Sequence, residues 1–138
     1  MFTDVYKRQA LDDGHVVGFM SLKKNYVCEE IPPSLSPNVY ITTVIVHPFY
    51  RHHGITGSFY QHLFKRFGCV NLFTRTWSTN LSHIRILSSL KFYEHCRKED
   101  DRGPGIDTVY YYHGPAARKS RQVLNQYRLC LLYTSRCV

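Results

Sequence analysis

The sequence has little of what marks membrane proteins and small metal-binding proteins. No run approaches the roughly 20 apolar residues that a membrane span requires, and the N-terminus lacks the basic, apolar and small-residue segments of a signal peptide. The five cysteines are odd in number and include no Cys-x-x-Cys pair, so neither a disulfide framework nor a zinc ribbon is indicated. We therefore expect a cytoplasmic protein without a metal site and without a membrane partner.

Acidic residues are scarce beside basic ones. The 138 residues include 18 Lys and Arg against 10 Asp and Glu, which gives a formal net charge of +8 at pH 7. Such a charge favours an anionic partner, which could be nucleic acid, an acidic membrane surface or a phosphate-rich cofactor, and charge alone does not choose among them. The length and the hydrophobic fraction of 43% fit one globular domain.

Both ends of the chain match translated sequencing adapter. Residues 4–9, Asp-Val-Tyr-Lys-Arg-Gln, are what the mosaic-end adapter of transposase-based libraries encodes. Residues 130–138 match the opposite strand of that adapter, followed by a forward copy that runs into a stop codon. We therefore predict adapter-derived scars at 1–9 and 130–138 and leave them out of the fold prediction. A domain of residues 10–113 and a basic C-terminal segment of residues 114–129 remain.

The first half of the chain has strand-like segments separated by turn signals. Asp12-Asp13-Gly14 lies between the apolar segments Ala10-Leu11 and His15–Leu22, and Asp-Gly in such a place supplies the positive φ of a hairpin turn. The prolines of residues 32–37 indicate a loop. Val39–Val46 is a β-branched run that is apolar on both faces, which is typical of a central strand.

Helical spacing begins at Ile55. Apolar residues at Phe59, Leu63 and Phe67 predict an amphipathic helix, with Gly68 as a left-handed C-terminal cap. The other predicted elements are a strand over Asn71–Thr76, a helix capped by Asn80 or Ser82 that buries Ile84, Leu87 and Leu90, a strand over Thr108–Tyr112, and a basic segment of residues 116–127 that could be helical. This order predicts an α/β fold with a mixed sheet.

The segment from Arg51 to Gly57 joins the predicted central strand to the predicted helix. Several backbone N–H groups at a helix start have no partner within the helix and favour anions there, and glycines let a phosphate approach the backbone. Arg51 adds a charged donor, and His52 and His53 assist when protonated. The segment is neither a P-loop, since it lacks Gly-Lys-Ser/Thr, nor a Gly-x-Gly-x-x-Gly loop. The sequence thus predicts a phosphate-binding loop of a different type.

At this point the sequence resembles the GNAT superfamily of acetyl-CoA-dependent N-acetyltransferases. The signature of that family is an apolar strand, Val-x-Pro, and then Arg/Gln-x-x-Gly-x-Gly/Ala at the start of a helix. Here it reads Val46-His47-Pro48, followed by Arg51-His52-His53-Gly54-Ile55-Thr56. A second family motif, an Asn followed twelve residues later by a Phe, is similar to Asn80 and Phe92.

The resemblance implies a GNAT-like mixed β-sheet with helices on both faces, whose N-terminal strand and helices are missing from this chain. It implies transfer of an acetyl group from acetyl-CoA to a primary amine of a small molecule or peptide, without a metal. The backbone of Val44 and Val46 would pair with the pantetheine arm, His52 to Gly57 would hold the pyrophosphate, and Asn80 would contact the pantetheine. The implied cofactor-binding residues are therefore Val44, Val46, Arg51, His52, His53, Gly54, Ile55, Thr56, Gly57 and Asn80.

Four residues depart from the family pattern. Thr56 takes the usual Gly/Ala place and Lys91 takes the place of a Gly; Leu87 stands where many members have the tyrosine that serves as general acid, and Arg75 stands where some have a glutamate base. We therefore assign no catalytic residues. One alternative is an acyl-CoA-binding protein that has lost catalysis. Another is a basic nucleic-acid-binding module, which the charge favours but no recognised motif supports, so no nucleic-acid partner is expected.

Three further features have ordinary interpretations. The aromatic residues of the predicted strands, among them Tyr110 to Tyr112, are expected in the core. The histidines share no regular spacing with acidic or cysteine ligands, so they predict no metal site. Residues 97–102 are expected to form a solvated loop; where that loop borders the acceptor site, Asp100 and Asp101 would attract a cationic amine. Because elements are expected to be missing, apolar sheet surface should be exposed and solubility should be poor.

Overall fold

A computed structural model describes residues 5–68 and 70–114. Within them the chain forms a six-stranded sheet in the order β1-β2-β3-β4-β6-β5, in which β3 and β4 are parallel and the other neighbours are antiparallel. Short 3-10 turns lie at Pro33–Leu35 and Pro48–Tyr50. The strands and helices are β1 (Val5–Asp12), β2 (His15–Lys24), β3 (Asn38–Val46), α1 (Ile55–Phe67), β4 (Asn71–Trp77), α2 (Leu81–Ser89), β5 (Tyr93–Lys98) and β6 (Thr108–His113). The predicted mixed α/β sheet is thereby confirmed.

The predicted N-terminal hairpin is present but longer than expected. Asp13 and Gly14 form its turn, with φ of 48° and 79°. The first strand begins at Val5 rather than at Ala10, and residues 5–9 pair with Lys23 to Phe19 of β2. The segment that matches adapter sequence therefore forms the first part of an edge strand. Its origin stays a prediction.

The structure confirms the central position of β3 and corrects two other predictions. β3 lies between β2 and β4, as its apolar run predicted. Gly68 has φ of −63° and ψ of −13°, so the prediction of a left-handed cap was wrong. β5 was not predicted, because Tyr93–Lys98 is rich in charged residues and lacks a β-branched run; it is an edge strand paired with β6. The predicted helix of residues 116–127 lies outside the described residues.

The two faces of the sheet differ in what covers them. The helix face packs against α1 and α2; its buried residues include Met20, Ile41, Tyr60, Leu63, Leu72, Leu87 and Val109. The aromatic face carries Tyr40, Phe73, Tyr110 and Tyr112, over which residues of the segment 26–35 pack. Both described α-helices thus lie on the same face, whereas helices were expected on both.

Gly18 of β2 allows α1 to start close to the sheet. A Cβ at this position would lie 3.1 Å from side-chain atoms of both Ile55 and Phe59. Gly18 is the register partner of Val46, the last residue of β3. The N-terminus of α1 is therefore held tightly beside the end of the central strand, which fixes where its unpaired N–H groups point.

Candidate functional site

The parallel strands β3 and β4 separate halfway along their length. Their register pairs run only from Asn38–Asn71 to Ile41–Thr74. Beyond that point β3 stays paired with β2 as far as Val46, and β4 stays paired with β6 as far as Trp77. We call the opening between residues 42–46 and residues 75–77 the slot.

A β-bulge in β3 accompanies the separation. Thr43 pairs with Ser21 and Ile41 pairs with Leu22, so Thr42 is an extra residue in the ladder. The Thr42 hydroxyl is hydrogen-bonded to the Ser21 hydroxyl and to the Ser21 carbonyl oxygen, which holds the bulge in place. Bulges bend a strand and increase its local twist. The bulge therefore gives a local reason why β3 leaves β4 at this point.

The backbone of Val44 and Val46 points into the slot. The N–H of His47 donates to the Val17 carbonyl at 2.8 Å, which makes residues 47 and 17 a hydrogen-bonded pair. Antiparallel ladders alternate, so the pairs Val46–Gly18 and Val44–Met20 turn their N–H and C=O groups away from β2. These groups face the part of the slot where β4 provides no register partner. An extended ligand could pair there as a strand does.

A cleft of about 670 Å³ continues from the slot over the helix face. It lies between the end of β3, the start of α1 and one side of α2. All but one of the predicted cofactor-binding residues line it. The lining residues are Val44, Ile45, Val46, Tyr50, Arg51, His52, Gly54, Ile55, Thr56, Gly57, Asn80, Ser82, His83, Ile86, Ser89 and Leu90. The exception is His53, an exposed residue whose Nδ1 lies 2.9 Å from the carbonyl oxygen of Arg51.

The loop before α1 is shaped to receive an anion. Gly54 is left-handed, with φ of 80°, and caps α1 without a side chain, so the first N–H groups of the helix have no side-chain acceptor from the cap. A Cβ at Gly54 or Gly57 would have no atom within 4 Å, so the space beside both residues is open. The first turn contains no acidic residue. The Arg51 Nε donates to the Val46 carbonyl at 3.2 Å, which holds this cation at the end of β3.

Asn80 connects the end of β4 to the start of α2. Its Oδ1 accepts the His83 N–H at 3.4 Å and so caps the helix, as predicted. Its Nδ2 donates to the Thr76 hydroxyl at 3.2 Å. These two hydrogen bonds fix the orientation of the side chain, which lies in the wall of the cleft opposite the loop before α1.

Comparison with known proteins identifies the family. A model described as the Acetyltransferase (GNAT) family matches residues 4–96, which is more than half of the chain. The chain belongs to the GNAT family of acetyltransferases. The predicted family, fold class, acetyltransferase activity and use of acetyl-CoA are thereby confirmed. No curated protein is similar enough to the sequence to match it.

Solved structures share the fold of this GNAT acetyltransferase at low sequence identity. Arabidopsis thaliana NAA60 in complex with a bisubstrate analogue is 22% identical, with a TM-score of 0.68, over 80% of this chain and 75% of that one. The ribosomal-protein-S18-alanine N-acetyltransferase from Escherichia coli is 17% identical, with a TM-score of 0.62, over 78% and 67%. An aminoglycoside 6'-N-acetyltransferase complexed with coenzyme A is 12% identical, with a TM-score of 0.61, over 79% and 72%.

Leu87 and Arg75 provide neither the tyrosine acid nor the glutamate base of the family pattern. Leu87 is fully buried in the core of the helix face. Arg75 lies exposed on β4, where strand alternation places it on the aromatic face. Neither residue of this GNAT acetyltransferase can take up or release a proton in the way those family residues do.

His83 and Tyr60 form a partly buried pair that was not predicted. His83 Nε2 lies 2.9 Å from the hydroxyl of Tyr60, which is fully buried on α1. Burial lowers the pKa of His83 and raises the pKa of Tyr60. Both side chains are therefore neutral at neutral pH. The spacing of His83, Ile86 and Leu90 places them on one side of α2, and this spacing was the available signal that they line the cleft.

No candidate metal centre is found in the part of the chain that the structure describes, where no group of three or more His, Cys, Asp or Glu side chains lies together. Likewise, no helix of residues 5–68 and 70–114 is long and apolar enough to cross a membrane.

Proposed function

We propose that this GNAT acetyltransferase transfers the acetyl group of acetyl-CoA directly to a primary amine, and that the slot and the cleft hold the cofactor. The observation that carries the proposal is the continuity of the slot and the cleft. The backbone groups of Val44 and the N–H of Val46, which face away from β2, lead into the open, basic loop before α1. The arrangement fits a long ligand with an amide-containing arm and a pyrophosphate.

The chain's own groups have separate tasks in this proposal. The N–H and C=O groups of Val44 and the N–H of Val46 bind the pantetheine arm as an added strand would. The N–H groups at the start of α1 and the Arg51 guanidinium bind the pyrophosphate. Acetyl-CoA supplies the activated acetyl thioester. The amine nitrogen forms a bond to the acetyl carbon while the C–S bond breaks, the thiolate gains a proton and the amine loses one.

We also propose that the acceptor is a peptide amine or a small-molecule amine and that the protein acts in the cytoplasm. The solved relatives include a ribosomal-protein-alanine and an aminoglycoside N-acetyltransferase, so both peptide amines and small-molecule amines suit the fold. We place the protein in the cytoplasm, since Cys28 and Cys96 are both free thiols and cytosolic proteins keep their thiols reduced.

Thermal unfolding tests cofactor binding. At a free acetyl-CoA concentration 100-fold above its Kd, the ligand should stabilise the fold by about 2.7 kcal/mol, which corresponds to a shift of about 10 °C or more in Tm for a domain of this size. Arg51→Ala should weaken acetyl-CoA binding by about tenfold or more, since it removes a charge-assisted contact. Arg66→Ala removes the same charge from the opposite end of α1 and should leave binding unchanged.

Two further measurements separate the alternatives. Release of free CoA thiol in the presence of an amine panel distinguishes an enzyme from a protein that only binds acyl-CoA. Duplex DNA in place of acetyl-CoA should leave Tm unchanged. The proposal is wrong if millimolar acetyl-CoA produces no shift, or if thiol release does not rise with any amine.

A further inference from the structure

The acceptor amine must reach the thioester from the aromatic face. This step rests on the proposed function, in which the cofactor occupies the cleft on the helix face and its reactive end lies in the slot. Within residues 5–68 and 70–114, the slot passes through the sheet and is open on its aromatic side. On β3 the side chain of Ile45 is 58% exposed, and on β4 that of Trp77 is 52% exposed.

Arg75 is the first β4 side chain on that side of the slot. It follows Thr74, the last residue paired with β3, and its register partner on β6 is Tyr110. Its guanidinium lies within hydrogen-bonding reach of the Tyr110 hydroxyl. The side chain is exposed, so it is available to a ligand that enters the slot from this face.

The charge of Arg75 is not neutralised by a described carboxylate. Neighbouring cations on β5 are paired, Lys98 with Glu30 and Arg97 with both Glu94 and Asp107. Among the described ion pairs, none involves Arg75. Arg75 differs in this respect from Arg97 and Lys98 of β5, both of which are paired with acids.

The acidic residues of the neighbouring loop are held in hydrogen bonds of their own. Asp100 Oδ1 accepts the Gly105 N–H at 2.6 Å, and Asp101 Oδ2 accepts the Thr108 hydroxyl at 2.7 Å. Asp100 therefore stabilises its own loop, whereas Asp101 is held at Thr108, the β6 partner of Trp77, whose hydroxyl also accepts the Arg102 Nε at 3.2 Å. The expectation that they would attract a cationic amine stays a prediction.

A second guanidinium and an aromatic ring complete the patch. Trp77 lies two residues beyond Arg75 on the same face of β4, and the Arg102 guanidinium carbon is 5.6 Å from the centre of its ring. Arg102 shares the Thr108 hydroxyl with Asp101, so Arg75 is the guanidinium of this mouth that no described acid accompanies. A planar carboxylate matches the donor fork of Arg75, whereas a simple polyamine offers it no acceptor.

We propose that Arg75 is a specificity-determining residue that selects an acceptor whose amine is accompanied by a carboxylate. Two sources share this chemistry: a free amino acid, with its α-carboxylate, and the N-terminus of a peptide with an acidic residue at its start. In both, the carboxylate binds Arg75 while the amine lies in the slot.

Pairs of acceptors that differ by one carboxylate provide the test. Lysine is compared with cadaverine, histidine with histamine and tyrosine with tyramine, by the rate of CoA thiol release; peptides that begin with Asp or Glu, each matched with its amide form, provide the second arm. The carboxylate-bearing member of each active pair should have a kcat/KM at least about tenfold higher. A preference confined to one arm identifies the source.

Arg75 variants test the residue itself. Arg75→Glu should reverse the preference within each pair, and Arg75→Lys should retain part of it, because lysine keeps the charge but loses the fork. Arg66→Glu, with the same charge change on α1, should keep the original preference. The thermal shift with acetyl-CoA should be the same for Arg75→Glu as for the original protein, which shows that the variant folds and binds cofactor.

The outcomes separate this inference from the proposed function. If the decarboxylated amines are acetylated as well as their partners, or if Arg75→Glu leaves the preference unchanged, the role of Arg75 is refuted while acetyl transfer stands. If no acceptor of either kind promotes thiol release, acetyl transfer itself is refuted.

Discussion

At the scale of single residues, His83 has the most constrained chemistry in the cleft. Tyr60 has no contact with solvent, so its hydroxyl needs a partner inside the protein, and His83 Nε2 at 2.9 Å is that partner. A neutral imidazole can either accept the Tyr60 proton or donate its own, depending on the tautomer, whereas a protonated imidazole can only donate. Protonation of His83 therefore removes one of two possible hydrogen-bond arrangements and adds a charge to a site that disfavours it.

This environment predicts a pH dependence of stability. Burial lowers the pKa of His83 from the ordinary value of 6.5, so the unfolded chain takes up the proton first as the pH falls. Stability is complete above about pH 6.5 and declines as the pH falls from there toward the folded pKa, so Tm rises with pH in this window. We expect Tm to fall less between pH 7 and pH 5 in His83→Gln than in the original protein.

The exposed His53 provides the matched control for this experiment. His53→Gln makes the same substitution at an exposed residue, so a change confined to His83→Gln assigns the pH dependence to His83. Parallel profiles for the original protein and His83→Gln would show that the His83–Tyr60 pair does not couple folding to this proton.

At the scale of elements, prediction from sequence succeeded where one physical signal dominated. The unit β3, loop and α1 was predictable because a β-branched run ends in Pro48, Gly54 supplies a left-handed cap and apolar residues then follow helical spacing. Nearly all the cofactor-binding residues predicted by resemblance belong to this unit. Its backbone places them together, which is why all but one of the predicted set line the same cleft.

Elements held by distant contacts were the ones missed. β5 contains Glu94, Arg97 and Lys98, which form ion pairs at the surface, so its sequence does not alternate like a half-buried strand. Its position depends on backbone pairing with β6 rather than on its own propensity. The pair of His83 with Tyr60, 23 residues away, is likewise invisible to local patterns.

The start of α2 offers a prediction at this scale. Asn80→Ala removes the cap, which should destabilise the protein by about 1 kcal/mol. This should lower Tm by about 4–8 °C for a domain of this size. The substitution should also weaken acetyl-CoA binding, because the side chain lines the cleft. Thermal unfolding with and without acetyl-CoA measures both effects.

Asn80→Asp separates the two roles of that side chain. Aspartate retains an oxygen that can accept the His83 N–H and adds a negative charge that suits a helix N-terminus, so stability should be kept. The same charge faces the cleft and removes the donor to Thr76, so acetyl-CoA binding should weaken. Equal loss of stability in both variants would mean that the capping bond is not what the asparagine contributes.

At the scale of the whole molecule, the two faces of the sheet carry different parts of the proposed site. The helix face holds the basic loop and the cleft, and the slot is the passage to the aromatic face, where Arg75 and Trp77 lie exposed. Exposed apolar side chains lie at this mouth, with Ile45 at 58% and Trp77 at 52% exposure. The poor solubility expected from the sequence stays a prediction, and these are the surfaces on which it would depend.

The edge of the sheet provides the last prediction. Residues 5–9 make five of the register pairs of β1 with β2, and Tyr6 packs against Phe67 of α1 with ring centres 6.3 Å apart. Deletion of residues 1–9 should therefore expose the edge of β2 and lower Tm by about 10 °C or more, since a loss of about 2 kcal/mol has that effect in a small domain. Deletion of residues 130–138, which also removes nine terminal residues, is the matched control, and the loss of Tm should be specific to the N-terminal deletion.

Comparison of the two deletions tests whether a segment that matches adapter sequence contributes to the stability of the fold. An edge strand requires backbone pairing on one side and alternating side chains, so many sequences can form one. Residues 6 to 10 alternate between half-buried and exposed, with Tyr6 and Ala10 turned toward the helix-face core. A large loss of Tm on removal of residues 1–9, with none on removal of 130–138, would mean that the hexapeptide supplies real edge pairing whatever its origin. No loss in either case would mean that the pairing of residues 5–9 with β2 adds nothing to stability.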